Sequence, residues 1–331
     1  MPWEAFTVES FGQSLAEVAA VVFFFVVGGN IGSFLNVVAH RVPLGMSVVF
    51  GGSRCPACGQ AIRPRDNLPV LGWLLLQGRC RDCLVPIPVR YPFVEAVAAV
   101  LIGSVAAVEI LSGGYTLPLG NEVAQGRWWR GVDELLFHPN GRLLAICLLH
   151  VTGLATLLAW ALLEYDQQRL PRRWSVLVGL TLPVLSLLWP WLQPAVAVPP
   201  VVLEGALGSL SPGQAAGLTS LLGLLAGWLL GSLLRAAGYA GPFLAGGLAL
   251  VGGLCGWQAV MTVSLIGLFL SCCRCGGASI CRRTIGRTGI HARRLTMVDV
   301  LVAFTLQLLG WRWLAAGTGK LISEAVAAVT S

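Results

Sequence analysis

Charge is scarce in this chain. Only 11% of its 331 residues are Asp, Glu, Lys or Arg, whereas 56% are hydrophobic and the mean hydropathy is +0.78. A soluble domain carries roughly 25% charged residues, so this chain has too few to cover the surface of a water-soluble globule. Soluble globular enzymes, disordered chains and coiled coils are therefore excluded, and a polytopic membrane protein remains.

Lysine is nearly absent as well. Lys320 is the single lysine among the 22 basic residues, and the formal net charge is +7. In a membrane chain, clustered arginines first indicate cytoplasmic loops rather than a nucleic-acid surface. We therefore expect membrane lipid as a partner and no nucleic acid.

Apolar runs of about 20 residues, the length that crosses a hydrocarbon core, recur along the chain. They predict an all-α polytopic membrane protein, and placing the Arg-rich loops in the cytoplasm gives about eight transmembrane helices. That count holds if the glycine-interrupted run 243–271 forms two short helices, and one tilted span is the alternative. The runs are Leu15–Ala39, Pro92–Leu111, Leu143–Leu163, Trp174–Leu192, Gly217–Leu234, Phe243–Ser271 and Met297–Ala316.

Four cysteines form two CxxC pairs in the loop between the first two predicted spans. They are Cys55, Cys58, Cys80 and Cys83. Two such pairs suit one tetrahedral zinc ion, and four thiolates leave no open position, so the site is predicted to be structural. Disulfides or unligated thiols are the alternatives, although the predicted cytoplasmic side favours reduced thiols. The fold prediction therefore includes a small cytoplasmic zinc-binding loop domain.

Another four cysteines, Cys272, Cys273, Cys275 and Cys281, follow a predicted span at irregular spacing. Packing, palmitoylation and a second metal site all fit this pattern.

Three motifs follow one another in the first third of the chain. The first span ends in GSFLNVVAHR (32–41), the loop contains DNLPVLGWLLLQGRC (66–80), and the second span opens with RYPFVE (90–95). Over roughly residues 28–100 this order resembles the bacterial type IV prepilin peptidases. The residues of the family motif that we single out are Gly32, Ser33, Asn36, Arg41 and Glu95.

The resemblance implies a multi-pass aspartic protease of the bacterial inner membrane. Such an enzyme cleaves the leader of type IV prepilins or of type II secretion pseudopilins on the cytoplasmic side. Many members then methylate the new N-terminus with S-adenosylmethionine. The implied organisation is an N-terminus with the first transmembrane helix (1–39), a cytoplasmic zinc loop (40–91) and a transmembrane bundle corresponding to the peptidase domain (92–331).

Aspartic proteolysis requires two carboxyl groups that share one proton. Glu164 and Asp166 lie where the resemblance expects the first catalytic aspartate, with Glu164 at the matching position. A glutamate is one methylene longer, and a displacement of about 1 Å can cost about 100-fold in rate. Ion pairs with Arg169, Arg172 or Arg173 are the alternative role of these two acids.

The second catalytic aspartate of the family has no acidic counterpart. Pro242 or Leu244 stands at its position, depending on the alignment, and no Asp or Glu occurs from residue 205 to residue 298. Asp299 is the candidate that could complete the pair, and an interfacial acid paired with arginine is its alternative role.

Three hypotheses follow for the whole chain. The first is an active prepilin peptidase with shifted acids, Glu164, Asp166 and Asp299. The second is a catalytically inactive homologue that binds pilin precursors or assembly proteins of a pilus or type II secretion system, and the acid-free stretch favours it. The third, a zinc-ribbon scaffold unrelated to pilins, is disfavoured by the motif run.

Overall fold

The structure is a computed structural model, and it describes residues 8–50, 52–118, 130–137, 139–168, 172–193, 211–281 and 295–330. In these ranges the chain is helical apart from turns, loops and isolated β-bridges, which confirms the predicted all-α fold. The α-helices are α1 Val8–Arg41, α2 Leu71–Leu75, α3 Arg90–Leu111, α4 Val132–Phe137, α5 Gly141–Tyr165, α6 Arg172–Leu188, α7 Pro212–Ala236, α8 Leu244–Cys255, α9 Trp257–Cys281 and α10 Met297–Thr330, with short 3-10 helices η1 at Pro64–Asp66 and η2 at Pro190–Leu192.

Five helices in the described ranges are long and apolar enough to cross a membrane. They lie in α1, α3, α5, α7 and α10, and each coincides with a predicted span. The molecule is therefore a polytopic membrane protein. Helices α6, α8 and α9 coincide with the remaining predicted spans.

The run 243–271 forms two helices rather than one tilted helix. Gly256, with φ +83°, separates α8 from α9. Only glycine adopts such a backbone angle without strain, so the chain can break here. Helix α8 has 12 residues, and α9 continues past the end of the run to Cys281.

The chain divides into two compact units. Unit 1 comprises residues 1–113 and 126–140, and unit 2 comprises residues 114–125 and 141–331.

In unit 1, α1 and α3 pack antiparallel through small residues. A Cβ atom on Gly28 would lie 2.8 Å from the carbonyl oxygen of Ala98, and one on Gly103 would lie 2.9 Å from the Cα of Phe25. Backbones that approach this closely are typical of membrane helix pairs. The zinc loop connects these two helices.

In unit 2, three glycines spaced four residues apart, Gly223, Gly227 and Gly231, form the face of α7 that packs on α8. All three are buried, and a side chain on any of them would overlap the backbone of α8 or its C-terminal end. Helix α10 packs against α5 and α9, with Phe304 fully buried. This packing brings the end of α5 and the start of α10 together.

Candidate metal centre and candidate active site

The four cysteines of the zinc loop lie on two knuckles with the same hydrogen bonding. The N–H of Gly59 donates to the carbonyl of Cys55 at 2.9 Å, and the N–H of Leu84 donates to the carbonyl of Cys80 at 3.0 Å. Gly59 has φ +72° and Leu84 has φ +58°, so both turns pass through the left-handed region at the same position. The knuckles are therefore two copies of one local structure.

The thiols converge on one point. The Sγ atoms of Cys55, Cys58, Cys80 and Cys83 all lie within 4.8 Å of one another, and the Cys55 and Cys83 sulfurs are 3.8 Å apart. Zn–S bonds of about 2.3 Å in a tetrahedron require sulfur separations of about 3.8 Å. In the structure all four cysteines are free thiols. The donor set and the spacing both fit a structural zinc ion.

The electrostatics of this cluster also favour a cation. The N–H groups of Cys58 and Ala57 lower the pKa of the Cys55 thiol to about 7. The N–H of Val85 acts in the same direction on Cys83, but desolvation and the neighbouring sulfurs outweigh it and raise the pKa of Cys83 to about 12. A thiolate on one cysteine thus disfavours the ionisation of its neighbours by electrostatic repulsion. A bound divalent cation would neutralise this repulsion and allow several thiols to ionise.

Replacing one ligand should release the metal. We expect Cys58→Ser protein to contain less than roughly a tenth of the zinc of the parent chain, because a hydroxyl is a poor substitute for a thiolate on zinc. Metal analysis of purified protein measures this content. Cys147→Ala, which changes a buried cysteine of α5 outside both cysteine clusters, is the matched control and should keep its zinc. A full zinc content in Cys58→Ser would contradict the assignment.

Gly32 and Asn36 of the predicted motif contribute to the packing of unit 1. Gly32 lies against Glu95 and Ala98, since a Cβ there would be 2.6 Å from the Cβ of Ala98. Asn36, only 8% exposed, donates from Nδ2 to the carbonyl of Tyr91 at 3.3 Å. Both residues fix the position of α1 on α3.

Arg41 is the last residue of α1, and its guanidinium donates to the carbonyls of Ser47, Phe50 and Gly52 at 3.1 to 3.4 Å. It thereby shapes the first turn of the zinc loop. Ser33 is half-buried in α1 next to Gly32.

The carboxylate of Glu164 lies at the end of α5 and reaches the start of α10. Glu164 is half-buried, and its Oε2 accepts the backbone N–H of Met297 at 2.9 Å. The first N–H groups of a helix have no partner within the helix and carry partial positive charge. Glu164 therefore caps α10 from another helix.

Asp299 lies in the first turn of α10, beside the same helix end. It is 3% exposed, and its Oδ2 accepts the backbone N–H of Thr296 at 2.7 Å and the Thr296 hydroxyl at 2.9 Å. Glu164 and Asp299 therefore accept the backbone N–H groups of two adjacent residues, Met297 and Thr296. The fold thus brings two acids from distant parts of the chain to one end of α10.

A loop before α8 forms another side of this site. The N–H of Leu295 donates to the carbonyl of Tyr239 at 2.8 Å, and Ala240 and Leu295 form a parallel bridge. Gly241 lies against Glu164, because a Cβ at Gly241 would overlap the Glu164 Oε1 atom. This is the loop that the resemblance matches to the second catalytic segment, with Pro242 next in sequence.

Asp166 follows in the turn after α5 and is half-buried. Arg169 lies outside the described residues, and the side chains of Arg172 and Arg173 lie outside them too. The alternative ion pairs of Glu164 and Asp166 with these arginines therefore remain predictions.

The sequence interpretation did not single out Thr296, Met297 or Gly241. A signal for Thr296 was available, because Thr296-Met-Val-Asp299 before an apolar run has the Ser/Thr-x-x-acid pattern of a helix N-terminus. The Met297 N–H and the Gly241 contact depend on tertiary packing and leave no local pattern.

Comparisons with known proteins match the first third of the chain. A family model described as "Bacterial Peptidase A24 N-terminal domain" matches residues 26–108. The prepilin leader peptidase/N-methyltransferase of Myxococcus xanthus is 55% identical over 80 residues, which cover 24% of this chain and 24% of the relative. These matches confirm the resemblance to type IV prepilin peptidases.

Two further relatives extend the comparison. The type 4 prepilin-like proteins leader peptide-processing enzyme of Escherichia coli is 46% identical over 92 residues, covering 22% of this chain and 34% of the relative. The prepilin leader peptidase/N-methyltransferase of Burkholderia pseudomallei is 34% identical over 132 residues, which cover 32% of this chain and 41% of the relative. The chain thus spans less than half the length of these relatives. No solved structure matches it.

Proposed function

We propose that this chain, whose residues 26–108 match the N-terminal domain of the bacterial A24 peptidases, is a membrane aspartic peptidase of the type IV prepilin peptidase family. Its substrates are type IV prepilins or pseudopilins, and its catalytic pair is Glu164 and Asp299. The observation that carries this proposal is that both carboxylates bind the start of α10, where Glu164 accepts the Met297 N–H and Asp299 accepts the N–H of the preceding residue, Thr296.

The proposed chemistry needs one proton shared by the two carboxyl groups. The ionised carboxylate takes a proton from the attacking water, and the protonated one donates to the substrate. Asp299 is buried whereas Glu164 is half-buried, so the pair has one side open to a peptide. A zinc ion held by the four cysteines would have no open coordination position, so its proposed role is to stabilise the loop of unit 1.

The position of Asp299 suggests how the chain could supply two catalytic carboxyl groups although residue 242 is a proline. The loop containing Gly241 contacts Glu164, and the segment before α10 pairs with that same loop. Asp299 thus comes from the neighbouring segment to the place where the family's second acid is expected.

The alternative function is a binding or assembly factor that does not cut its partner. Two observations favour it: residues 205–298 contain no acid, and both Asp299 hydrogen bonds above go to the N-cap residue of α10. In either case we propose a multi-pass protein of the bacterial inner membrane with a cytoplasmic zinc loop. Methylation is proposed from the N-methyltransferase name of the relatives, and S-adenosylmethionine as its cofactor from the family resemblance.

A cleavage assay separates the two functions. The chain is produced in cells that lack their own prepilin peptidase, and its membranes are incubated with a purified prepilin. We expect a shorter product that begins after the leader, identified by mass spectrometry, and none with membranes that lack the chain. Co-purification of uncut prepilin would instead support the binding factor.

Replacing Gly241 with alanine tests the geometry around Glu164. The added methyl group would displace the Glu164 carboxylate, and a displacement of about 1 Å can cost about 100-fold in rate. We expect cleavage to fall by roughly 10- to 100-fold while the protein stays folded. Gly141→Ala is the control, because a Cβ at Gly141 meets no atom within 4 Å. An unchanged rate in Gly241→Ala would count against the site.

A further inference from the structure

The zinc loop contains a short apolar segment, residues 68–75, that includes α2. We propose that this segment is embedded in the membrane beside α1 and α3, with its leucines facing lipid, and that Glu95 holds it there. The inference concerns unit 1 and does not rest on the proposed peptidase activity.

The depth of the segment follows from its contact with α1. A Cβ on Gly29 would lie 3.2 Å from the Cβ of Pro69 and 3.8 Å from the Cβ of Ala99 on α3. Phe34 is five residues closer to the Arg41 end of α1, about 7.5 Å along the helix at 1.5 Å per residue, and it is 50% exposed. A phenylalanine exposed on a spanning helix faces lipid, so Pro69 lies deeper than a lipid-facing side chain.

Glu95 supplies the polar contact that such a segment needs. Its Oε2 accepts the N–H of Val70 at 2.7 Å. Val70 has φ +61°, so its N–H lies in an irregular turn just before α2. Irregular backbone at membrane depth is tolerated only where protein satisfies its polar groups. Glu95 is therefore a positioning residue for the segment.

The start of the segment is anchored as well. Arg81, between two zinc ligands, donates to both carboxylate oxygens of Asp66, from Nε at 2.7 Å and from Nη2 at 2.5 Å. These hydrogen bonds hold the pKa of Asp66 below its ordinary value. The ion pair connects the zinc knuckle to the residues that precede the segment.

The outward side of the segment is apolar. Leu71, Leu74 and Leu75 are 57%, 56% and 73% exposed, and their spacing of three and four places them on one helical face. Trp73 points the other way and donates from Nε1 to the carbonyl of Ile87 at 2.9 Å. Phe93, at the start of α3, is 65% exposed. The leucine face therefore extends the lipid-facing surface of the spanning helices, and lipid is the occupant that we infer.

The test places a dansyl-alanine at residue 75 or residue 84 of the full chain in lipid nanodiscs. Leu84 is the matched control, because it is 63% exposed but lies in a zinc knuckle. We expect the label at 75 to emit at shorter wavelength, to be quenched by doxyl lipids and to be shielded from iodide. The label at 84 should show the opposite pattern.

Three outcomes would overturn the inference. Iodide quenching at 75 equal to that at 84 means that the segment lies in water. Doxyl quenching at both positions means that the whole loop lies on the lipid surface. Shielding of 75 from both quenchers means that protein covers it, either a bound prepilin or a second copy.

Glu95 variants test the tether in the same assay. Glu95→Ala should increase iodide quenching at 75 by about twofold or more, because the Val70 N–H loses its acceptor and the segment leaves the lipid. Glu95→Gln keeps an oxygen that accepts the Val70 N–H and should leave the label shielded. Equal shielding in Glu95→Ala and the parent chain would remove Glu95 from the proposal.

Discussion

Asp299→Asn should reduce the rate of prepilin cleavage by roughly 10⁴- to 10⁶-fold, the loss seen when one member of a catalytic group is removed. The amide is nearly the same size and can still accept the Thr296 N–H, but it cannot share a proton with Glu164. Glu164→Gln should cause a loss of the same order. The double variant should be no slower than either single variant, because the two acids act as one unit. Rates with a purified prepilin in membranes measure these effects.

Two controls separate catalysis from helix capping. Asp166→Asn should retain a rate close to that of the parent chain. Thr296→Ala removes the hydroxyl that donates to Asp299 but leaves both catalytic carboxyls. If Asp299 only caps α10, Asp299→Asn should cleave at least as fast as Thr296→Ala, because its amide oxygen still accepts the Thr296 N–H. Full cleavage by Asp299→Asn would refute the pair.

The zinc site could be predicted because its information is local. Each knuckle is a short turn closed by its own hydrogen bonds, so the CxxC spacing nearly determines the geometry of each cysteine pair. The break between α8 and α9 was also predictable, since the glycines that interrupt the run are visible in the sequence. In both cases the residues that act together lie within a few positions of each other.

The carboxyl pair could be predicted only in part. Asp299 could be named as the candidate partner because so few acids occur in the second half of the chain. However, Glu164 and Asp299 are 135 residues apart, and their proximity depends on how α5 packs on α10. The same holds for Glu95, which the sequence analysis singled out only as a motif residue at the start of the second span. Its partner is a backbone N–H, and no side-chain pattern reveals such a contact.

Gly227→Ala should destabilise unit 2 by about 2–3 kcal/mol, the upper range for overpacking a well-packed interior. A Cβ at this position would overlap the carbonyl of Leu248 and lie 2.6 Å from the backbone nitrogen of Ala249. Backbone atoms of α8 cannot turn away as a flexible side chain can, so α7 and α8 would have to separate. A loss of this size lowers the unfolding temperature by about 5–10 °C, measurable by thermal unfolding in detergent.

Gly310→Ala is the matched control, because it adds the same methyl group to another spanning helix of unit 2. A Cβ at Gly310 meets only a Leu314 methyl group, at 3.8 Å. Alanine is the better helix former by about 1 kcal/mol, so this variant should unfold at the same or a higher temperature. Equal unfolding temperatures for both variants would show that α7 and α8 have room for a methyl group at residue 227, which would contradict the close packing of the glycine face. If Gly227→Ala unfolds at a lower temperature and Gly310→Ala does not, Gly227→Ala should also lose cleavage activity at a lower temperature. The reason is that α8 follows directly from the loop that contacts Glu164.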